Sequence, residues 1–131
     1  MTAKARHKRT TADVLEHHLE CFKAGDLEGI LSDYAKDAIM FTPKGPLIGA
    51  DAIRPMFVSM FSEFDDPIAK FNMITQTVDG PYAYIVWRAE TAKNVYELGT
   101  DTFVVKRGKI VAQSYAGKTS TKDKPIGQLS A

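Results

Sequence analysis

Three polar side chains stand out because they fall inside otherwise apolar runs. Asp101 lies in GTDTFVVK, with Phe103 and Val105 on its own side of an extended chain. His18 lies among Leu15, Leu19 and Phe22, which recur at helical i, i+3, i+4 and i+7 spacing. Arg88 interrupts the run YIVWRAE. Desolvation among apolar neighbours drives a carboxyl group toward its protonated form, so Asp101 suits a general acid or hydrogen-bond donor. The competing reading is a carboxylate paired with Arg88 or His18 for structure alone. An imidazole serves acid–base chemistry near neutral pH, although on an apolar helix face a lone histidine is more often a core residue. His17 beside it is expected to face solvent.

Strand alternation sorts the remaining candidates. With Asp101 pointing inward, Gly99, Phe103 and Val105 follow it. Pairing through a turn at Lys93-Asn94 adds Tyr84, Val86, Arg88 and Glu90 to that face, and pairing through Gly108 adds Val111, Gln113 and Tyr115. Tyr84, Gln113 and Tyr115 then offer hydrogen bonds to a ligand carbonyl, or are core residues with polar tips. Arg88 and Glu90 read as an ion pair at a half-open mouth. The opposite face would carry Ala83, Ile85, Trp87, Ala89, Val104, Ile110 and Ala112, too apolar for water, and so predicts a homodimer through the outer sheet face. A slip of one residue would exchange the two sets.

The elements that must position these groups follow from periodicity and breakers. Thr10 to Ala24 reads as a helix capped by Thr10 and stopped by Gly25, followed by a second helix, capped by Asp26, from Leu27 to about Tyr34. Ala38 to Thr42 is a short strand, with Leu47-Ile48 as a possible second. Asp51 to about Phe64 is a third helix whose apolar face includes Ile53, Met56, Phe57 and Phe61. Ile68 to Val78 is a strand, and three more fill Tyr82 to Gly117, with the second reversal at Lys106-Arg107-Gly108. After Gly117 little regular structure is expected. Helices gathered on one face of an antiparallel sheet give an α+β layout.

The chain has 131 residues, 44% apolar and 25% charged, which suits one soluble domain. No apolar run approaches a membrane span, and no apolar core follows the basic start, so no membrane association or secretory signal is expected. Lys4, Arg6, Lys8 and Arg9 make the first ten residues basic, leaving the remainder at −3 within a net charge of +1. That arm reads as solvated. Without a basic stripe elsewhere, no nucleic-acid partner is expected. The single cysteine, Cys21, and the absence of histidine ligand spacing argue against a metal site. No phosphate loop or nucleophile elbow is present, so no cofactor is expected, and a reducing cytoplasm is the default location.

The ordered phrases AGDLEGILSDYAKDAIMFTPKG, GADAIRPMF and GTDTFVVKRGKIVAQSYAG resemble the SnoaL-like branch of the nuclear transport factor two-like superfamily, over residues 11–118. The resemblance implies a curved, cone-like sheet wrapped around three helices, with a pocket inside. It divides the chain into a basic arm (1–10), the domain (11–118) and a tail (119–131). Members include ketosteroid isomerases, polyketide cyclases, epoxide hydrolases, dehydratases and non-catalytic binding domains, so the fold alone does not give the reaction. Against ketosteroid isomerase, His18 matches the oxyanion-hole tyrosine, Thr42 the carboxylate base and Asp101 the protonated aspartate. One group is kept, one is changed and the base is gone. Arg88 with Asp101 is also similar to an epoxide hydrolase pairing, without the full triad. The expected site is therefore Asp101 and His18 as the acid–base pair. Tyr84, Arg88, Glu90, Phe103, Gln113, Tyr115, Thr42 and Phe57 would line a pocket for a small apolar molecule. The expected function is cofactor-free isomerase, cyclase, dehydratase or hydrolase chemistry on a carbonyl or hydroxyl compound, or else ligand binding or accessory dimerisation without turnover.

Overall fold

A computed structural model describes residues 9–122. Helix α1 (Thr11–Ala24) starts at a capping box: the Thr10 hydroxyl accepts from the Asp13 amide, and the Asp13 carboxylate accepts from the Thr10 amide. Gly25 ends it in the left-handed conformation. Asp26 caps α2 (Leu27–Leu31) through the Gly29 amide. This helix stops three residues before Tyr34, where the sequence reading ended it. Tyr34 instead opens strand β1 (Tyr34–Thr42), which forms a hairpin with β2 (Gly45–Ile48). Helix α3 (Ala50–Phe64) carries Pro55 in its second turn. Four long strands follow: β3 (Lys70–Asp79), β4 (Tyr82–Glu90), β5 (Asn94–Lys106) and β6 (Lys109–Thr121). Strand β6 thus continues beyond Gly117, because Lys118 to Thr121 still pair with the start of β5.

The six strands lie in the order β2-β1-β6-β5-β4-β3. The fold is α+β, as expected, with a curved sheet whose concave side receives the helices. The sheet is mixed rather than purely antiparallel: β1 and β6 run parallel. A parallel neighbour needs a long crossover, supplied here by everything from β2 to β5. The core joins Val14, Leu15, Ile30, Ile53 and Phe57 of the helices to Met40, Ile85, Trp87, Phe103 and Ile110 of the sheet.

One strand is turned over relative to expectation. Ile85 pairs with Asp101 and Ala83 with Phe103, so Ala83, Ile85, Trp87 and Ala89 face inward and are buried. Tyr84 and Arg88 therefore lie on the convex side, where both are exposed. A bulge in β5 between Tyr96 and Gly99, opposite Trp87 to Ala89 of β4 and visible again on the β6 side at Tyr96/Leu98, changes the phase of the β4–β5 hairpin. A second bulge, at Val104/Val105, buries Ile110 on β6 while Gln113 stays inward.

The ends of the described chain are tied in. Arg9, the last cation of the basic arm, bonds the Asp33 carboxylate at 2.9 Å and the Gly108 carbonyl at 2.7 Å. His17, expected in solvent, is half-buried and meets the same carboxylate at 2.7 Å. The rest of the arm, with Lys4, Arg6 and Lys8, and residues 123–131 of the tail lie outside the described residues.

Ile30 is fully buried yet does not line the cavity described below. Ile30→Ala is expected to lower stability by about 2–5 kcal/mol in urea denaturation. The folded-state fluorescence of Trp87 should stay unchanged.

Candidate functional site

The concave face of the sheet and the helices enclose a cavity of about 470 Å³. Its lining is almost wholly apolar, with contributions from Phe22, Met56, Phe57, Phe64 and Phe71. Its polar end is built by four strands and one helix. Asp101 stands mid-strand on β5, flanked across the ladder by Ile85 and Tyr115. It is only 8% exposed.

Three neighbours determine its state. The Trp87 indole N–H donates to Oδ1 at 2.8 Å, and the Gln113 amide N–H donates to Oδ2 at 2.9 Å. Gln113 is itself oriented by Tyr34, whose hydroxyl donates to the Gln113 side-chain oxygen. All these protons point toward Asp101, and an indole N–H can only donate. Burial raises the Asp101 pKa to about 6, held back by the bonds from Trp87 and Gln113. The direction is the one expected from the sequence. The value leaves the group mostly ionised at neutral pH, where it is an acceptor and a base.

Trp87 reaches Asp101 because Gly99 leaves room. A Cβ on Gly99 would sit 2.3 Å from two indole carbons. The ring also stacks on Phe71 at 5.3 Å and on Tyr115 at 6.1 Å.

His18 enters the same cavity from α1. Its ring makes edge contacts with Tyr34, Phe57 and Phe103, at 5.3 Å for the last. It is 6% exposed, and its Nδ1 has no hydrogen-bond partner among the described residues. Burial pulls its pKa down to about 4, against a smaller opposing pull from Asp33. The ring is therefore neutral at physiological pH, with one N–H and one lone pair.

The structure brings Asp101, His18, Phe57, Phe103, Gln113, Tyr115 and Thr42 into one cavity. The Thr42 hydroxyl is already engaged, donating to the Gly45 carbonyl at 2.9 Å and accepting from the Lys44 amide. Tyr84, Arg88 and Glu90 are not in the cavity. The turned-over β4 puts the first two on the convex face, and Glu90 pairs with Lys122 at 2.6 Å. No Arg88–Asp101 pair forms. Trp87 and Tyr34 were missed as site residues. The apolar alternation Ala83-Ile85-Trp87-Ala89 was a signal that this face of β4 belongs to the core. Among the described residues, no three His, Cys, Asp or Glu side chains are grouped to hold a metal, and no helix is long and apolar enough to cross a membrane.

The sequence profile of the SnoaL-like domain matches residues 15–113. The chain belongs to the SnoaL-like family. No curated protein matches it in sequence. Several solved structures share the fold of this SnoaL-like chain. A protein of unknown function similar to nuclear transport factor two, from Mesorhizobium loti, superposes with a TM-score of 0.70 at 21% identity, covering 82% of this chain and 90% of that one. A candidate polyketide cyclase from Sinorhizobium meliloti gives 0.68 at 18% identity, over 79% and 94%. A candidate ketosteroid isomerase from Kribbella flavida gives 0.67 at 13%, over 90% and 86%. At these identities the likeness shows the fold alone.

The two buried titrating groups oppose each other. The folded pKa of Asp101 rises from 3.8 to about 6, so its contribution to stability is present below 3.8 and lost as pH rises through 6. The His18 pKa falls from 6.5 to about 4, so its contribution is present above 6.5 and lost as pH falls through 4. Each shift is worth about 3 kcal/mol. Relative to the parent protein, Asp101→Asn should gain stability as pH rises from about 4 to 6, whereas His18→Phe should gain it as pH falls across the same range. Urea denaturation at four pH values checks both slopes.

Proposed function

We propose that this SnoaL-like protein is a cofactor-free acid–base enzyme acting on a small apolar carbonyl or hydroxyl compound. The observation that carries this reading is Asp101, a buried carboxylate with a pKa of about 6 at the polar end of an apolar cavity. Such a group exchanges a proton readily near neutral pH. In the proposed step the carboxylate takes a proton from the substrate, and the electron pair left behind moves onto the substrate oxygen. The His18 N–H then donates a hydrogen bond to that oxygen, and Asp101 returns the proton at the new position. Isomerisation uses this transfer as written; in a dehydration the proton held by Asp101 would leave with the substrate hydroxyl as water, in a cyclisation the carbanion formed would attack a second carbonyl of the same substrate, and in a hydrolysis Asp101 would take its proton from an attacking water. The family and the candidate cyclase and isomerase among its structural neighbours are consistent with this chemistry.

A second reading, ligand binding without turnover, is favoured by Thr42. By the sequence resemblance it replaces the base of ketosteroid isomerase, and its hydroxyl is committed to the β1–β2 turn. The racemic probe 2-hydroxy-1-tetralone separates the two readings, since it carries both oxygen groups and one acidic C–H. In D₂O, NMR should show exchange of that proton at least tenfold faster than in buffer, slowing below about pH 6 and lost in Asp101→Asn. Bound probe with no faster exchange selects the binding reading.

We further propose a homodimer through the convex sheet face and, on composition alone, a cytoplasmic location. Only Val104 and Ala112 of the residues first expected remain on that face. Ile85 and Trp87 are in the core, which leaves Ile48, Ile39, Ala112, Val104 and Tyr82 as one row across five strands. Pro46, Phe41, Ser114, Thr102 and Tyr84 form the next. Neither row holds a charge, and Ile48 and Phe41 are 63% and 50% exposed. A second copy covering both rows would bury the roughly 1,200 Å² that a stable interface needs. Sedimentation at micromolar concentration should give a dimer that Tyr84→Lys dissociates. A monomeric parent protein would overturn the assignment.

A further inference from the structure

We infer that the polar end of the cavity recognises a hydroxyl group on its ligand, one that donates to Asp101 and accepts from His18. The inference rests on reading the cavity as a small-molecule site and narrows what that site accepts. The side chains hydrogen-bonded to Asp101 already direct a proton to it. The Trp87 N–H and the Gln113 N–H both end on the carboxylate, at 2.8 and 2.9 Å, and the Tyr34 hydroxyl ends on Gln113. A carboxylate has about four acceptor positions, so two remain after these bonds. No cation bonds it; among the described residues its partners are neutral. What it lacks is a donor, and the wall around it is Ile85, Phe103 and the stacked rings of Trp87 and Tyr115, of which only Tyr115 has a hydroxyl.

His18 supplies the complement. It packs against Phe103 and Tyr34 in the same cavity, and no described residue hydrogen-bonds its ring; Nδ1 is shut off from the cavity space, so Nε2 is the nitrogen that a ligand can reach. Neutral imidazole gives one donor and one acceptor. A carbonyl can only accept, which would leave Asp101 unsatisfied. An ammonium can only donate, and the faces of the nearest indole are engaged by Phe71 and Tyr115. A hydroxyl does both. Around Asp101 the polar end is therefore the reverse of an oxyanion hole, in which converging donors await a negative oxygen, and His18 alone is left to donate to a substrate oxygen.

The test uses tetralin, 1-tetralol and 1-tetralone, which share a skeleton and differ only at one carbon. Trp87 is the only tryptophan and borders the cavity, so its fluorescence reports binding directly. At about pH 7.5, 1-tetralol should bind at least tenfold more tightly than either analogue. In Asp101→Asn, whose amide N–H serves a ketone, that preference should fall to about threefold or less. A pH series on the parent protein gives a readout that needs no variant. The titratable groups facing Asp101 are His18 on α1, Tyr34 on β1 and Tyr115 on β6. Burial lowers the first and raises the two tyrosines, so Asp101 alone gains a proton between neutral pH and about 5. The preference for alcohol over ketone should shrink over that range. Equal binding of all three probes overturns the hydroxyl inference and leaves the cavity reading standing. So does a preference for the alcohol that neither pH nor Asp101→Asn alters. Absence of binding by any of the three overturns the cavity reading itself, and the inference with it.

Discussion

A carboxylate has to be satisfied where water is largely excluded, and much of this structure follows from how Asp101 meets that demand. Its two oxygens take N–H donors from β4 and β6, and the β6 donor is oriented in turn from β1. Four of the six strands are thereby locked to one another through side chains as well as through the backbone ladder. Trp87 reaches Asp101 only because position 99 has no side chain. The bonds form a chain with a single direction, each proton moving the next group toward accepting or donating in the same sense. That directionality makes the Asp101 side of the site attract donors.

The molecule solves the same problem differently on its other side. Asp33 is completely buried, and it is met by Arg9 and His17, at 2.9 and 2.7 Å. Those partners leave little of the carboxylate for anything else, and the cluster ties the start of α1 to the β5–β6 turn through Gly108. Asp101 is paired only with neutral groups and keeps lone pairs toward a cavity. Of two buried aspartates, one is closed by charge and the other is left open by its lack of it.

Much of the architecture was legible in the sequence. Thr10, Gly25 and Asp26 marked helix ends by side-chain chemistry that acts locally, and each does so in the structure. The shared inward direction of Asp101 and Phe103 followed from alternation within one strand, and that of Gln113 from pairing through the Gly108 turn. His18 was placed by the company of Leu15, and it shares the cavity with Asp101. The register of β4 was not legible through its turn, because one bulge in the β4–β5 hairpin changes the phase that a regular ladder would carry back to Tyr84 and Arg88. Alternation inside β4 pointed the right way: Ala83, Ile85, Trp87 and Ala89 form a wholly apolar set, and a core has first claim on such a set. The early end of α2 and the parallel β1–β6 contact were not legible either, since long-range pairing decides both.

That parallel contact has a consequence for how the protein is made. The β1–β2 hairpin joins the sheet only through β6, which is the last strand in chain order. During translation, therefore, the hairpin emerges early with its apolar residues and unpaired backbone, and must wait for nearly the whole described chain before its neighbour appears. Strands β3 to β5 can pair as they emerge, but β5 keeps an open edge until β6 arrives. The ribosome-bound intermediate is a half-sheet with one exposed margin, and release of the last strand closes the domain in one step. Synthesis pauses downstream of β5 would lengthen the life of that open margin, which is the state most prone to pair with a second chain.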